Sequence, residues 1–189
     1  KNSFLLVNLI ISSIPLIILG YLFGRFFNYE SSRIILIIGV TSIIFGVLLF
    51  IVDNFCLRIK NLNSLNYLSS LIIGLAQCLA LIPGVSRSGS VVTTMRYFGF
   101  QRKFAVYYSN LLSIPAILSA TGYLLITNLH QISTTSIMSL YGITIFFLSF
   151  IFSIVFIYFF VAWTRSFSFL IFAVYRVVFG IGLIYFFYF

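Results

Sequence analysis

An arginine, three serines and a Pro-Gly break interrupt an otherwise apolar chain at Leu79-Ala-Leu-Ile-Pro-Gly-Val-Ser-Arg-Ser-Gly-Ser90. A charged side chain at bilayer depth costs at least a few kcal/mol on insertion scales, so an arginine flanked by hydroxyls and broken backbone marks a functional site. Arg87 supplies a planar guanidinium fork that grips phosphate oxygens bidentately. A helix beginning after the break adds free N–H groups and about half a positive charge at its N-terminus. Gly84 and Gly89 let the backbone approach a ligand closely. Such a loop is an anion clamp, and phosphate is the expected anion. Arg87, Ser86 and Ser88 are the expected catalytic residues, with Gly84, Gly89, Ser90 and Thr93 expected to bind substrate.

The three serines can act as hydrogen-bond donors, as helix caps or as a nucleophile. A nucleophilic serine needs an adjacent base, and no His, Asp or Glu lies near in sequence, so donors are favoured. Gln77, nine residues before Ser86, is a polar residue in an apolar span that can face the same cavity. Asn110 is another, and both also suit interhelical hydrogen bonds. Arg176 is a second intramembrane cation, placed either to neutralise a bound diphosphate or to snorkel. Thr94 reads as packing, His130 as a linker residue, and Glu30 and Asp53 as loop residues. No pair of acids within a span can hold a divalent metal.

The elements that must position this loop are membrane helices. The chain is 62% apolar, 20% aromatic and 7% charged, a composition no soluble domain of this size tolerates. Eleven Lys and Arg face two acids, but the basic residues are scattered singly between apolar spans. They read as loop anchors and not as a nucleic-acid patch, so the partners are membrane lipids, with no nucleic acid and with a homodimer compatible. Cys78 lies mid-span as a small buried hydrophobe, and a disulfide to Cys56 is not expected. The whole chain, 1–189, forms one integral membrane domain.

Apolar spans are expected at about 4–27, with Pro15 as a kink and Gly20 and Gly24 as close-packing positions, and at about 34–52. A polar loop covers 53–66. Residues 67–82 make only about 24 Å of helix at 1.5 Å per residue, short of a comfortable crossing. The Pro-Gly break follows, then a second short helix at about 90–98 ending at Gly99. Two sub-length helices around a break predict a re-entrant hairpin over 67–99. Three further spans follow at about 104–127 (with Pro115), 137–162 and 167–189. The fold class is all-α and polytopic, with about five transmembrane helices plus the hairpin. The positive-inside rule places Lys1, Arg58, Lys60, Arg96, Arg102, Lys103 and Arg165 in the cytoplasm, with Arg25, Arg33 and the linker 128–136 outside.

The run Gly74-Leu-Ala-Gln-Cys-Leu-Ala-Leu-Ile-Pro-Gly-Val-Ser-Arg-Ser-Gly-Ser90 resembles the bacterial undecaprenyl-diphosphatase family, whose signature is P-G-x-S-R-S-x-x-T after G-x-x-Q-x-L-A-L. The likeness continues in Ser109-Asn-Leu-Leu-Ser-Ile-Pro115 and Phe172-Ala-Val-Tyr-Arg176. It implies a multi-pass protein of the bacterial plasma (inner) membrane that dephosphorylates undecaprenyl diphosphate to the lipid carrier of wall synthesis, with bearing on cell shape and antibiotic resistance. It also implies that Arg87 and its flanking serines grip the diphosphate, and that the fold is half of an inverted repeat of hairpins.

Two departures stand out. The signature threonine falls at Val91, leaving Thr93 or Thr94 to replace it or one donor lost. The family's acidic hairpin, E-G-x-x-E-x-x-P-x-S-S-T-G-H, has no match here. The divalent cation that the family implies, Mg²⁺ or Ca²⁺, therefore lacks its acidic ligands in this chain. With no Met ahead of Lys1, the expectation is a C-terminal two-thirds of such an enzyme. An anionic-lipid transporter or flippase, or an inactive fragment of the phosphatase, are the alternatives.

Overall fold

A computed structural model of the chain describes residues 2–26, 31–127 and 140–188. Seven α-helices occupy them: α1 Asn2–Phe26, α2 Ser31–Phe55, α3 Tyr67–Cys78, α4 Arg87–Tyr97, α5 Arg102–Thr127, α6 Leu140–Ser166 and α7 Leu170–Tyr188. Five of them (α1, α2, α5, α6 and α7) are long and apolar enough to cross a membrane. Lys1, Glu30, His130 and the 128–136 linker lie outside the described residues.

The hairpin is made of the other two. With 12 and 11 residues, α3 and α4 reach only ~18 and ~16 Å, against a hydrocarbon core of about 30 Å. Neither half can cross alone. The chain entering the hairpin is also zipped to the chain leaving it. Ile59 and Lys60 donate backbone N–H groups to Gly99 O at 3.0 and 2.9 Å, and Gln101 N–H donates to Lys60 O at 3.1 Å. Both ends of the hairpin thus lie together at one end of the molecule, which makes it re-entrant as its length predicts.

Its second helix starts three residues before the expected Ser90, because Ser86 caps it: the Ser86 Oγ accepts Gly89 N–H at 3.1 Å. Although α4 is the most polar helix by sequence, it runs through the core. Val91, Val92 and Met95 are buried against Ile73, Tyr108 and Leu112.

Polar side chains hold the hairpin's first half to its neighbours. Ser12 of α1 lies 2.7 Å from both Ser70 O of α3 and the Tyr108 hydroxyl of α5. The Ser70 hydroxyl donates to Asn8 Oδ1 at 2.7 Å, and the Tyr108 hydroxyl lies 2.9 Å from Asn8 O. Burying these groups without partners would cost more than the bonds themselves return, so they are satisfied against one another. Gly74 completes this seam, since a Cβ there would lie 2.5 Å from Ser12 O. Gly20, expected to be a close-packing position, is not one: its nearest neighbour would be Leu81 at an ordinary 3.9 Å. A second small-residue seam joins α2 to α7, where a Cβ on Gly180 would stand 2.6 Å from Gly39 O.

Asp53 corrects a sequence expectation. It is not a loop residue, because α2 continues to Phe55 and buries it in the last helical turn. Its carboxylate accepts Arg96 Nε at 3.0 Å, Arg102 Nη2 at 2.7 Å and the backbone N–H of Phe169 at 3.3 Å. Arg96, expected in the second short helix on the cytoplasmic side, is likewise buried. Its remaining N–H groups donate to Leu57 O at 3.1 Å, to Phe100 O at 2.5 Å and to Asp53 O at 3.1 Å. The last helix accordingly starts at Leu170, after the residue held by Asp53.

Removing one partner of such a pair leaves an uncompensated buried charge, at a cost of about 3–5 kcal/mol. Asp53→Asn is therefore expected to lower the thermal unfolding midpoint in detergent steeply. Arg102→Ala should lower it less, because that side chain keeps 18% exposure and its loss still leaves Arg96 paired. Equal losses in the two variants would contradict the buried-pair account.

Candidate functional site

The hairpin tip is held from two sides. The Thr41 hydroxyl of α2 lies 2.8 Å from Pro83 O and 2.8 Å from Ile37 O of its own helix. From α7, Arg176 Nη2 donates to Gly84 O at 2.9 Å. Between these anchors Gly84 takes φ +87°, a conformation that side chains other than glycine adopt only with strain. A Cβ at this position would collide with Thr41 Oγ1 and stand 2.7 Å from Ile38 Cα.

Beyond the tip, the cap orders the first turn of α4. Ser86 sits in extended backbone (φ −69°, ψ 122°), its carbonyl accepts Ser90 N–H at 2.9 Å, and its hydroxyl lies 3.2 Å from that of Ser88. The N–H groups of Arg87 and Ser88 precede any carbonyl the helix can offer, so they remain available to an anion. Ser86, Ser88, Gly84, Gly89 and Arg176 line one cavity of about 350 Å³. Gly89 permits this approach, since a Cβ there would be 3.0 Å from Arg176 Nη1.

Other expected site residues are disposed differently. Arg87 does not line that cavity. Its Nη1 is buried without a hydrogen-bond partner, and so are both side-chain polar atoms of the fully buried Gln77. Each such atom costs about 1–3 kcal/mol, so these are the positions where an added polar ligand group gains most. Ser109 Oγ on α5 shares this state and escaped the sequence reading, which weighed its neighbour Asn110 instead. Ser90, Thr93 and Thr94 give their hydroxyl protons to Arg87 O, Gly89 O and Ser90 O at 2.9, 2.7 and 2.9 Å. They present lone pairs to a ligand and not donors. Val91, at the signature threonine position, is fully buried in the core.

The described residues do not fit a divalent cation. Among the described residues no three His, Cys, Asp or Glu side chains come together. Asp53, the one acidic side chain among them, is held by two guanidinium groups. Its partner Arg96 is nine residues beyond Arg87, which puts the carboxylate roughly 14 Å along α4 from the tip. A hard cation needs oxygen ligands, normally carboxylates, and hydroxyls with arginines do not replace them.

Fold and site together define a multi-pass helical membrane protein whose polar groups converge on a broken, re-entrant helix. Residues 1–182 match the family described as Bacitracin resistance protein BacA, and the chain belongs to that family. It is 38% identical over 183 residues to the undecaprenyl-diphosphatase of Pelagibacter ubique, covering 96% of this chain and 70% of the relative. The namesake from Alteromonas mediterranea is 37% identical over 94% of this chain and 65% of its own length. That from Bifidobacterium longum is 34% identical over 90% and 58%. The chain therefore spans between 58% and 70% of the length of these relatives.

Two glycines separate backbone strain from mere substitution. Gly84→Ala is expected to lower the unfolding midpoint in detergent, since it adds αL strain of about 1–2 kcal/mol to the collision with Thr41. Gly122→Ala, on α5 with nothing within 4 Å of its added Cβ, should leave the midpoint unchanged or raise it. Indifference of the fold to Gly84→Ala would show that the tip is not held as described.

Proposed function

We propose that this chain acts in the bacterial plasma membrane as an undecaprenyl-diphosphatase, removing the terminal phosphate of undecaprenyl diphosphate to leave undecaprenyl phosphate. The observation that carries this reading is Arg87 in the first turn of a capped helix, with Nη1 buried and unpartnered. The relatives' shared name supports it and favours hydrolysis over the transporter or inactive-fragment alternatives.

The reaction asks for definite chemistry. Water attacks the terminal phosphorus, the bond from that phosphorus to the bridging oxygen breaks, and inorganic phosphate and the lipid monophosphate separate. Negative charge builds on the bridging oxygen and on the equatorial oxygens, so preorganised donors and cations lower the barrier. Arg87 supplies a bidentate cation, and the N–H groups of the first turn of α4 supply dipoles aimed outward. The Ser86 and Ser88 hydroxyls bond phosphate oxygens, while Gly84 and Gly89 keep the backbone close. Ser90 and Thr93 give their hydroxyl protons to backbone carbonyls and Gln77 is fully buried, so none of the three is assigned a phosphate contact. Among the described residues no His, Asp or Glu lines the cavity that Ser86 and Ser88 enter.

Arg87→Ala is expected to slow phosphate release from undecaprenyl diphosphate by about 100-fold or more in membranes expressing the gene, the scale of losing one transition-state donor. Arg87→Lys should keep only a small part of the rate, because a point charge does not reproduce the fork. A near-wild-type rate for the lysine variant would remove the clamp.

The same scaffold supports an orientation. Arg58, Lys60, Arg102 and Lys103 belong to the segments zipped at the open end of the hairpin, which by the positive-inside rule supports a cytoplasmic position for that end. A single cysteine at the exposed position Lys60→Cys should react with an impermeant thiol reagent only after permeabilisation. Labelling in intact cells would invert the topology.

A further inference from the structure

Lys103 lies in the first turn of α5, at the zipped end of the hairpin, and its charge has no counterpart there. Asp53 is the one acidic side chain among the described residues, and Arg96 and Arg102 already hold it. Lys103 is exposed, and its Nζ stands 4.8 Å from the ring centroid of Phe104. That contact keeps the ammonium over an aromatic face. Both residues line a cavity of about 590 Å³, together with Leu62, Tyr107 and Val161. One cation thus tops a space that is otherwise apolar and aromatic. None of these residues lines the cavity at the hairpin tip.

Three elements meet at this second cavity: the 3₁₀ turn Leu62–Ser64, the first turns of α5 and the last turns of α6. Lys103, Phe104 and Tyr107 fall on one face of α5, since residues four apart on a helix are neighbours. On α6 the packing is concentrated near the end. Residues 143–159 are exposed, whereas Phe160, Val161 and Trp163 are partly buried and Thr164 is buried. The cavity therefore sits between two spanning helices at their charged ends. Acyl chains surround such helices along their length, and headgroups surround them at this level.

We propose that this cavity binds an anionic glycerophospholipid: Lys103 meets the phosphodiester, and the upper part of an acyl chain lies against Phe104, Tyr107 and Val161. The proposal goes beyond the phosphatase reading and does not depend on it. Charge selects the class of lipid. A zwitterionic headgroup brings a cation of its own, which Lys103 repels and no described carboxylate is free to receive. An anionic headgroup brings only the phosphate that Lys103 lacks. Basic pockets between helices at the membrane surface suit such headgroups. An acyl chain moving from the bilayer to an apolar cavity gains little hydrophobic energy, because the two media are alike. Selectivity therefore comes from the headgroup, and the test compares headgroups with the acyl chains held constant.

The chain carries its own probe and its own control. Trp163, the single tryptophan, lies two residues beyond Val161 on α6 and stacks on Phe167 at 4.5 Å. Lys60 is an equally exposed cation at the same end, 6.0 Å from the Phe100 ring, but it lines a separate cavity built from residues 55–60 and 97–99.

The purified 189-residue chain is reconstituted in phosphatidylcholine vesicles, and Trp163 fluorescence is titrated with phosphatidylglycerol whose acyl chains are brominated near the headgroup. Phosphatidylcholine brominated in the same way is the reference. The expected result is a several-fold preference for phosphatidylglycerol that Lys103→Gln abolishes, Lys103→Arg restores in part and Lys60→Gln leaves unchanged. Lys103 is exposed, so its replacement does not put folding at stake. Equal quenching by the two lipids, or quenching by neither, would overturn the site. Equal losses in Lys60→Gln and Lys103→Gln would reduce the preference to diffuse surface charge and overturn it too. Relief of the quenching by inorganic phosphate would mark a small-anion site, against the lipid assignment.

Discussion

One carboxylate fixes the ends of four chain segments. Asp53, in the last turn of α2, binds Arg96 near the end of α4, Arg102 at the start of α5 and the Phe169 amide ahead of α7. A hairpin too short to span the bilayer has no second membrane face to anchor it, so its position must come from its own open end. The cost of burying these charges is offset because hydrogen-bond donors surround the carboxylate and carbonyl oxygens surround Arg96. Since α4 is a single rigid helix of 11 residues, fixing its C-terminal end also fixes where its N-terminal end, and hence the anion loop, can lie.

The tip needs its own constraints, and these are where local preference is violated. Gly84 takes a left-handed conformation, and Pro83 and Gly84 leave carbonyls that no helix satisfies. Thr41 and Arg176, from two different helices, accept that task. Sequences tend to break local rules at functional sites and to make up the loss through neighbours, and this loop follows that pattern. The serine–asparagine–tyrosine seam on the opposite side keeps α3 in place by the same logic of mutual satisfaction.

Much of this was legible from sequence, and the failures have physical causes. Helix length and the Pro-Gly break gave the re-entrant hairpin, because a 1.5 Å rise cannot stretch sixteen residues across a bilayer comfortably. Asp53 was misread as a loop residue because polarity alone was taken to end a span. A paired charge can sit inside the last turn, and the partner that permits it is 43 residues away in sequence. The start of α4 was placed late for a related reason: Ser86, Ser88 and Ser90 all suit an N-cap, and only the Gly89 N–H selects among them. That Arg87 falls outside the cavity its neighbours line was invisible in a linear motif. Ser86 is the extended N-cap and not a helical residue, and its hydroxyl comes within 3.2 Å of that of Ser88, so the two share a cavity that Arg87 between them does not line.

Arg176 lies between Ala173 and Gly180 on the face of α7 that meets α2, at the three- and four-residue spacing that aligns side chains on a helix. A Cβ on Gly46 of α2 would sit 3.1 Å from both Ala173 O and Arg176 Cβ, so the base of the arginine side chain is wedged between two backbones. A long flexible side chain normally loses considerable rotamer entropy when it binds a ligand. Here the seam has already removed part of that freedom, and the bond to Gly84 O has removed more. The small residues that let α2 and α7 approach therefore also preorganise a cation at the hairpin tip, which couples helix packing directly to the geometry of the cavity there.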